Sequence, residues 1–319
     1  MTGIIVLNYN NARLTIDCLE SVRMHNSYPC KFIVVDNASS DDSLIVLRRE
    51  MYRMYSDDFT EYNEDAENIS ELKRYSLVSS KENGGYAKGN NVGLRLAEAD
   101  NDIDTILILN NDILFTEDIL PDLVSFLETR EDIGIVSPLL LKKDGRQIDY
   151  NCARKDCSLK EIAFYYLLYC SDYKGILTRF ARERMILLND ISLLQDDSVP
   201  VELPSGSCML INKSLFKQIG YFDPNTFLYY EEGILYRKLL KLNKVNYVLP
   251  KSRCIHLGAQ STTKIDRSYS YLRHSNRSAY YYVTHYRKLN LLQRLCFMML
   301  YAAYNCLLFI KQQLNRLKL

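Results

Sequence analysis

Four times in the first 112 residues an apolar run gives way to a polar or glycine-rich cluster. Residues 3–7 stop on Asn8-Tyr9-Asn10, 32–35 on Asp36-Asn37, and 105–109 on Asn110-Asn111-Asp112; residues 75–78 lead into Asn83-Gly84-Gly85. The runs are short, continuous and rich in Ile, Val and Leu, the pattern of strands buried on both faces. Helical spacing fills the intervals. Leu14, Cys18 and Val22 recur every four residues, so a helix follows from about Asn11. Ser39 or Ser40 can cap a second helix with Leu44, Leu47, Met51 and Met54 on one face. Residues 88–99 read as a third. Strands alternating with helices predict an α/β fold: a mostly parallel, Rossmann-like sheet with helices on both faces. Ligands of such sheets lie outside the carboxyl ends of the strands, where all four polar clusters fall.

The rest of the chain is less regular. Residues 57–71 are acidic and polar and read as a surface excursion. Residues 144–197 resist assignment, with an apolar-aromatic stretch at 162–169 and basic residues at 179–184. Order returns at 199–223, followed by a helix over 230–242, a strand over 245–249 and the segment "RCIHLGAQST". Near the end, residues 295–310 carry no charge; Arg287, Lys288 and Arg294 precede them, and Lys311, Arg316 and Lys318 follow. Sixteen uncharged residues fall short of the roughly 20 that span a bilayer. Two readings stay open: an interfacial helix on an anionic leaflet, or a helix packed on the domain or on a second subunit.

Length and charge narrow the class. The 319 residues suffice for one large α/β domain with an appendage. A formal net charge of +1 gives no overall basic field and argues against a nucleic-acid binder. Nine cysteines occur without a CxxC pair, so neither a disulfide framework nor a zinc site is suggested. They read as reduced thiols in a cytoplasmic protein. Residues 3–7 are too short for the apolar region of a signal peptide.

Several residues could carry chemistry, each with a plainer alternative. Asn110-Asn111-Asp112 could be an ordinary turn, or Asp112 could bind a hard divalent cation, which would need a second protein contact and an anionic ligand. His256 could supply that contact, favouring manganese over magnesium, or be a structural hydrogen-bonding histidine. Glu231-Glu232 could be a solvated first helical turn. They follow the apolar and aromatic residues 227–230, however, and burial there would raise a carboxylate pKa and make a usable base. Ser205-Gly206-Ser207 permits close backbone approach but lacks the strand–turn–helix context of a nucleophile elbow. "ENGGYAKGNNVG" (82–93) is neither GxGxxG nor a P-loop, yet suits a backbone lying close to a ligand.

Taken in order, "IVLNYN", "VVDNASSDDS", "ENGGYAKGNNVG", "LILNNDI", "PSGSCMLINKSLFKQIGYFDPNTFLYYEE" and "CIHLGAQST" resemble family-2 glycosyltransferases of the GT-A fold. The likeness covers about residues 2–263 and is greatest to the rhamnosyltransferase-like branch that builds bacterial surface polysaccharides. It implies a GT-A domain over 1–265, with a nucleotide-binding half at 1–115 and an acceptor and catalytic half at 116–265, and a helical segment over 266–319. By resemblance Asn8, Tyr9 and Asn10 line the nucleotide pocket. Asp36 and Asn37 hold the base or ribose, and Asn83, Gly85, Lys88 and Asn90 shape the adjoining wall. Asn110, Asn111 and Asp112 stand at the family's Asp-x-Asp motif, with Asp112 and His256 on a Mn2+ or Mg2+ ion. Glu232 matches the general base, with Glu231 beside it. The implied reaction is inverting transfer of rhamnose from dTDP, or of a hexose from UDP, to a lipid-linked saccharide. It would take place at the inner membrane face, with peripheral membrane contact and a possible homodimer. Asn110 replaces the first acid of the motif, and Gly233 and Ile234 stand where many relatives carry another acid. A degenerate nucleotide-sugar-binding or scaffold protein of the same fold is the alternative. A nucleotidyltransferase would need a basic glycine-rich loop after the first strand, which "NYNNARLT" does not supply.

Overall fold

The computed structural model describes residues 1–67, 69, 71–164, 195–258 and 269–316. Most of the unassigned 144–197 stretch, Ser261, and the boundary near 265 lie outside them. The first half builds as expected. Strands β1 (Thr2–Asn8), β2 (Cys30–Asp36), β4 (Tyr75–Ser79) and β5 (Thr105–Asn110) run parallel, with β1 central between β2 and β5. Helices α1 (Ala12–His25), α2 (Ser43–Tyr55) and α3 (Gly85–Ala99) connect them. Every residue of β2 is buried, the mark of a strand covered on both faces. One apolar layer includes Ile4, Val34, Leu47 and Met51; the layer on the opposite face includes Ile5, Ile33, Val92 and Ile108. The alternation of Ile4 and Ile5, neighbours in sequence, follows from the two-residue period of a strand.

The 57–71 excursion contains an edge strand, β3 (Phe59–Asn63), parallel to β4. Only Phe59 of it is buried, while Glu61 and Asn63 are exposed, so no apolar run announces it. Asp42, not Ser39 or Ser40, precedes α2; Ser39 is bonded to Asp36 instead.

The second half extends the sheet with mixed polarity. Strand β11 (Cys208–Asn212) lies antiparallel between β5 and β7 (Ile133–Lys142). Strand β12 (Val245–His256) runs parallel to β7 and antiparallel to β6 (Ile113–Phe115) and β9 (Val199–Val201), giving this sheet ten strands among the described residues. The strand expected at 245–249 and the "RCIH" segment are therefore one element, with an irregular register between Leu249 and Arg253. A two-stranded ribbon pairs β8 (Ala153–Arg154) with β10 (Leu203–Pro204). Helix α4 (Leu120–Leu127) follows β6, α5 (Lys213–Gln218) follows β11, and α6 (Glu231–Leu240) precedes β12. Asn212 caps α5 by accepting from Ser214 N and Leu215 N.

Two helices close the chain, α7 (Tyr269–Tyr286) and α8 (Leu291–Arg316). Tyr282, Val283, Phe297, Tyr304 and Leu308 form a third apolar cluster with Ile234 of α6. The Asp156 side chain, 4% exposed, fastens α7 in place, accepting from Tyr282 Oη at 2.6 Å and Arg287 Nη1 at 2.6 Å. A single face of α8 is satisfied this way. Leu291, Leu292 and Met299 are 74%, 71% and 64% exposed on the rest of it.

Candidate active site

Strand β5 delivers Asn110 to the carboxyl edge, and the chain turns through Asn111-Asp112 into β6. Register then decides what Asp112 meets. Ile113 sits opposite His256 on β12, and Leu257 N donates to Asp112 O at 2.9 Å. The side chains converge, with His256 Nε2 3.3 Å from Asp112 Oδ2. On its far side His256 Nδ1 lies 3.2 Å from Asp149 Oδ2. All three residues are buried. Burial disfavours a charged imidazole, but the two carboxylates outweigh it and hold the His256 pKa up at about 10. Burial likewise works against the Asp149 charge, yet the bonds from His256 and the Asn151 amide keep its pKa below the ordinary value.

Asp112 Oδ1 is buried and has no hydrogen-bond partner among the described residues. An unsatisfied buried acceptor costs about 1–3 kcal/mol or more when charged. A carboxylate oxygen with an open coordination direction beside an imidazole nitrogen fits a manganese-like divalent cation. Among the described residues no group of three His, Cys, Asp or Glu side chains is arranged to hold an ion. The site therefore offers two protein donors, which suits an ion completed by the oxygens of an anionic ligand.

A polar network runs along the same edge. Asn8 Nδ2 donates to Asp36 Oδ1 at 2.8 Å, Thr15 Oγ1 donates to Asn8 Oδ1 at 2.8 Å, and Asn111 Nδ2 donates to Thr15 Oγ1 at 3.0 Å. Asp36 also accepts from Ser39 N and Ser39 Oγ. Asn8 and Asp36 are buried within this network, whereas Asn10 is exposed and half-buried Tyr9 adjoins it. Asn10 has a φ of 53° and is held by Ser39 and Ser40. Asn37 ties the next cluster together, bonding Asn83 Oδ1, Gly85 O and Gly84 N. Gly85 has a φ of 74°, and a Cβ there would lie 2.1 Å from Phe227 O. Its close approach is to the loop entering α6, since Tyr86 N donates to Phe227 O at 2.9 Å. Lys88 is exposed near Glu82 at 3.6 Å, and Asn90 is fully buried, donating to Tyr86 O.

That loop presents the acid pair. Tyr229 and Tyr230 both have a φ of 72°, a conformation uncommon for bulky residues and typical of functional sites. Glu231 then turns inward. Burial, followed by the neighbouring charge of Glu232, pushes its pKa up to about 8, so it holds a proton at neutral pH. Glu232 Oε1 accepts from Arg154 Nη2 at 3.1 Å and from Gly206 N at 3.3 Å. The backbone O of Ser207, next along, accepts from Asn110 N at 2.8 Å, and Asn110 Nδ2 donates to Ser207 Oγ at 3.2 Å. The loop 205–207 therefore links the Asp112 turn to Glu232 through two hydrogen-bonded steps. Gly233 lies against the Tyr282 ring, and Ile234 is fully buried. These positions are occupied by packing on α7.

Three site residues went unread in the sequence: Thr15, Asp149 and Arg154. Thr15 lies on a helix face marked only by apolar spacing. Asp149 and Arg154 sit in the stretch without periodicity. That stretch reaches the site because Asp149 N donates to Leu140 O at 2.8 Å and Ser205 N donates to Cys152 O at 3.1 Å. No local pattern reports such long-range pairing.

Known proteins agree with this architecture. The family model described as Glycosyl transferase family 2 matches residues 3–220. The low-salt glycan biosynthesis hexosyltransferase Agl10 of Haloferax volcanii is 24% identical over 72% of this chain and 58% of that protein. The N-acetylglucosaminyl-diphospho-decaprenol L-rhamnosyltransferase of Mycobacterium tuberculosis is 26% identical over 54% of this chain and 53% of that protein. The chain thus spans little more than half the length of the curated relatives it matches. Among solved structures, GalNAc-T7 with UDP, GalNAc and Mn2+ superposes with a TM-score of 0.54 at 12% identity, over 96% of this chain and 54% of that one. With the sheet, the polar edge and this family match in hand, the chain belongs to glycosyl transferase family 2 and has the GT-A fold.

Proposed function

We propose that the protein is an inverting, metal-dependent glycosyltransferase. It moves rhamnose from dTDP, or a hexose from UDP, to a hydroxyl of a lipid-linked glycan in bacterial surface-polysaccharide synthesis. The observation that carries this reading is the hydrogen-bonded continuity from Asp112 through Asn110, Ser207 and Gly206 to Glu232. It joins a cation-competent pair and a carboxylate on one sheet edge. Asp112 and His256 would hold Mn2+ or Mg2+, which when bound supplies charge stabilisation to the departing diphosphate. Tyr9, Asn10 and the Asn37–Asn83 cluster would face the nucleoside. Glu232 accepts the proton of the acceptor hydroxyl as that oxygen attacks the anomeric carbon. The Arg154 and Gly206 contacts fix Oε1 and leave Oε2 to do so. Bond formation opposite the leaving diphosphate inverts the anomeric carbon in one step.

A thermal-shift panel of nucleotide-sugars, each with Mn2+, tests the donor assignment. A ligand at 100 times its Kd stabilises by about 2.7 kcal/mol, enough to raise the unfolding temperature by several degrees. dTDP-rhamnose or a UDP-hexose should do so and the matching purine-nucleotide sugars should not. An identical melt with every donor would overturn the assignment.

The C-terminal helices support peripheral membrane contact. The 40 basic and 39 acidic residues are unevenly divided: residues 267–319 carry nine basic and no acidic residue, leaving 31 basic and 39 acidic in 1–266. A cavity of about 560 Å³ at the α7–α8 turn is lined by Arg287, Lys288 and Arg294, beside exposed Leu291 and Leu292. The window Leu291–Ile310 has the length and hydropathy of a membrane span, with 17% of it buried in the protein. Basic residues flanking an exposed apolar helix face suit an anionic leaflet, at about 1 kcal/mol per cation near the surface. The protein should co-sediment with phosphatidylcholine vesicles containing phosphatidylglycerol and be released by salt. Replacing Leu291, Leu292 and Leu295 together by Ser should weaken this about tenfold or more. If the protein instead self-associates and ignores vesicles, the face is a dimer contact.

A further inference from the structure

We propose that Asp149 is a positioning residue of the cation site: it accepts a hydrogen bond from the Nδ1–H of His256 and leaves Nε2 as the nitrogen that faces the ion. This rests on the reading that Asp112 and His256 hold a divalent cation.

Three observations carry it. Asp149 Oδ2 is 3.2 Å from His256 Nδ1, while Nε2 points at Asp112. Asp149 cannot drift, because Oδ1 accepts from Asn151 N at 2.7 Å, its own N donates to Leu140 O at 2.8 Å, and its O accepts from Cys152 N at 2.9 Å. Asp149 is also 5% exposed, so no water competes freely for the imidazole. An ionised carboxylate only accepts hydrogen bonds. Its neighbour Nδ1 must therefore carry hydrogen, which makes Nε2 the free lone pair once a cation is present. A carboxylate behind a ligating histidine fixes ring orientation and tautomer, and its loss typically weakens metal binding about 10–100-fold. No charged group besides Asp112 and Asp149 forms an ion pair with His256 among the described residues.

Titration of the purified protein with Mn2+ alone, followed by the electron-spin signal of the free ion, tests the assignment without donor or acceptor. Asp149→Asn should weaken Mn2+ binding about 10–100-fold. It should weaken it more than Asp149→Ala does, because the Asn amide can donate to Nδ1 and drive the proton onto Nε2. A merely structural role predicts the opposite order, the larger cavity being worse. On a His256→Gln background, Asp149→Asn should add nothing further. Wild-type affinity in Asp149→Asn, or a loss undiminished in the double variant, would overturn the proposal. Asp112→Asn separates the two readings. If it abolishes Mn2+ binding while Asp149→Asn keeps the wild-type affinity, only the role of Asp149 fails. If wild type and Asp112→Asn bind alike, the cation site itself is wrong and the inference falls with it.

Discussion

Glu232→Gln is expected to lower kcat for glycosyl transfer by about 10²–10⁴-fold, the usual contribution of a positioned general base. Donor affinity in the same variant should hardly change. The substitution keeps shape, and the Gln carbonyl can still accept from Arg154 and Gly206. What it removes is the ability to take a proton. Glu231→Gln is the informative control. Glu231 is buried, and burial with the adjacent charge of Glu232 raises its pKa to about 8, so at pH 7 the wild-type side chain is already neutral. An isosteric neutral amide there should cost far less than at Glu232. The two adjacent carboxylates sit in different environments: burial assigns the proton to Glu231, while Glu232 is paired with Arg154 at 3.1 Å. The measurement is the initial rate with purified protein, lipid-linked acceptor and saturating donor. Equal loss in both variants would mean that the pair acts as a unit. Full activity of Glu232→Gln would remove it as the base.

How much of this was legible without coordinates depends on the range of each interaction. The parallel half of the sheet is written in local pattern, because a strand buried on both faces needs a continuous apolar run. Residues 32–35 show it plainly. The edge strand Phe59–Asn63 is hidden because only Phe59 of it is buried, which leaves no apolar run. The polar ends of β1, β2 and β5 were legible as a set because a parallel sheet places them on one edge. The partners of Glu232 were not. Arg154 reaches it across 78 residues of chain, and Gly206 across 26. Only the pairing of β8 with β10 brings the first of these near. Asp149 was missed for the same reason, at a separation of 107 residues from His256. The sequence marks Gly85 as free to lie near a ligand, while its backbone is shaped by Phe227 O, which lies far outside the run "NGGY".

Asp112→Asn should be the most damaging single change to the chemistry, lowering transfer by about 10³-fold or more. Diphosphate departs with a growing negative charge, and a divalent cation is worth several kcal/mol in stabilising it, at tenfold in rate per 1.36 kcal/mol. Asp112 is the one carboxylate that the β5–β6 turn presents with a buried oxygen, Oδ1, lacking a protein partner among the described residues. The amide that replaces it is neutral and binds a hard cation poorly. The turn itself should survive, because its register is held by the backbone bond from Leu257 N to Asp112 O and by β6–β12 pairing, neither of which involves the side chain. Loss of activity should therefore come without loss of fold, and circular dichroism should separate the two. His256→Gln should lose less, because the imidazole contributes a neutral donor and Asp112 retains the charge. The test is rate against Mn2+ concentration for wild type and both variants. His256→Gln should recover in part as Mn2+ rises, since weakened affinity can be saturated, whereas Asp112→Asn should stay low throughout. If Asp112→Asn transfers sugar at the wild-type rate, or if chelation leaves the wild type fully active, the diphosphate is neutralised by other groups and the role given to this carboxylate is wrong.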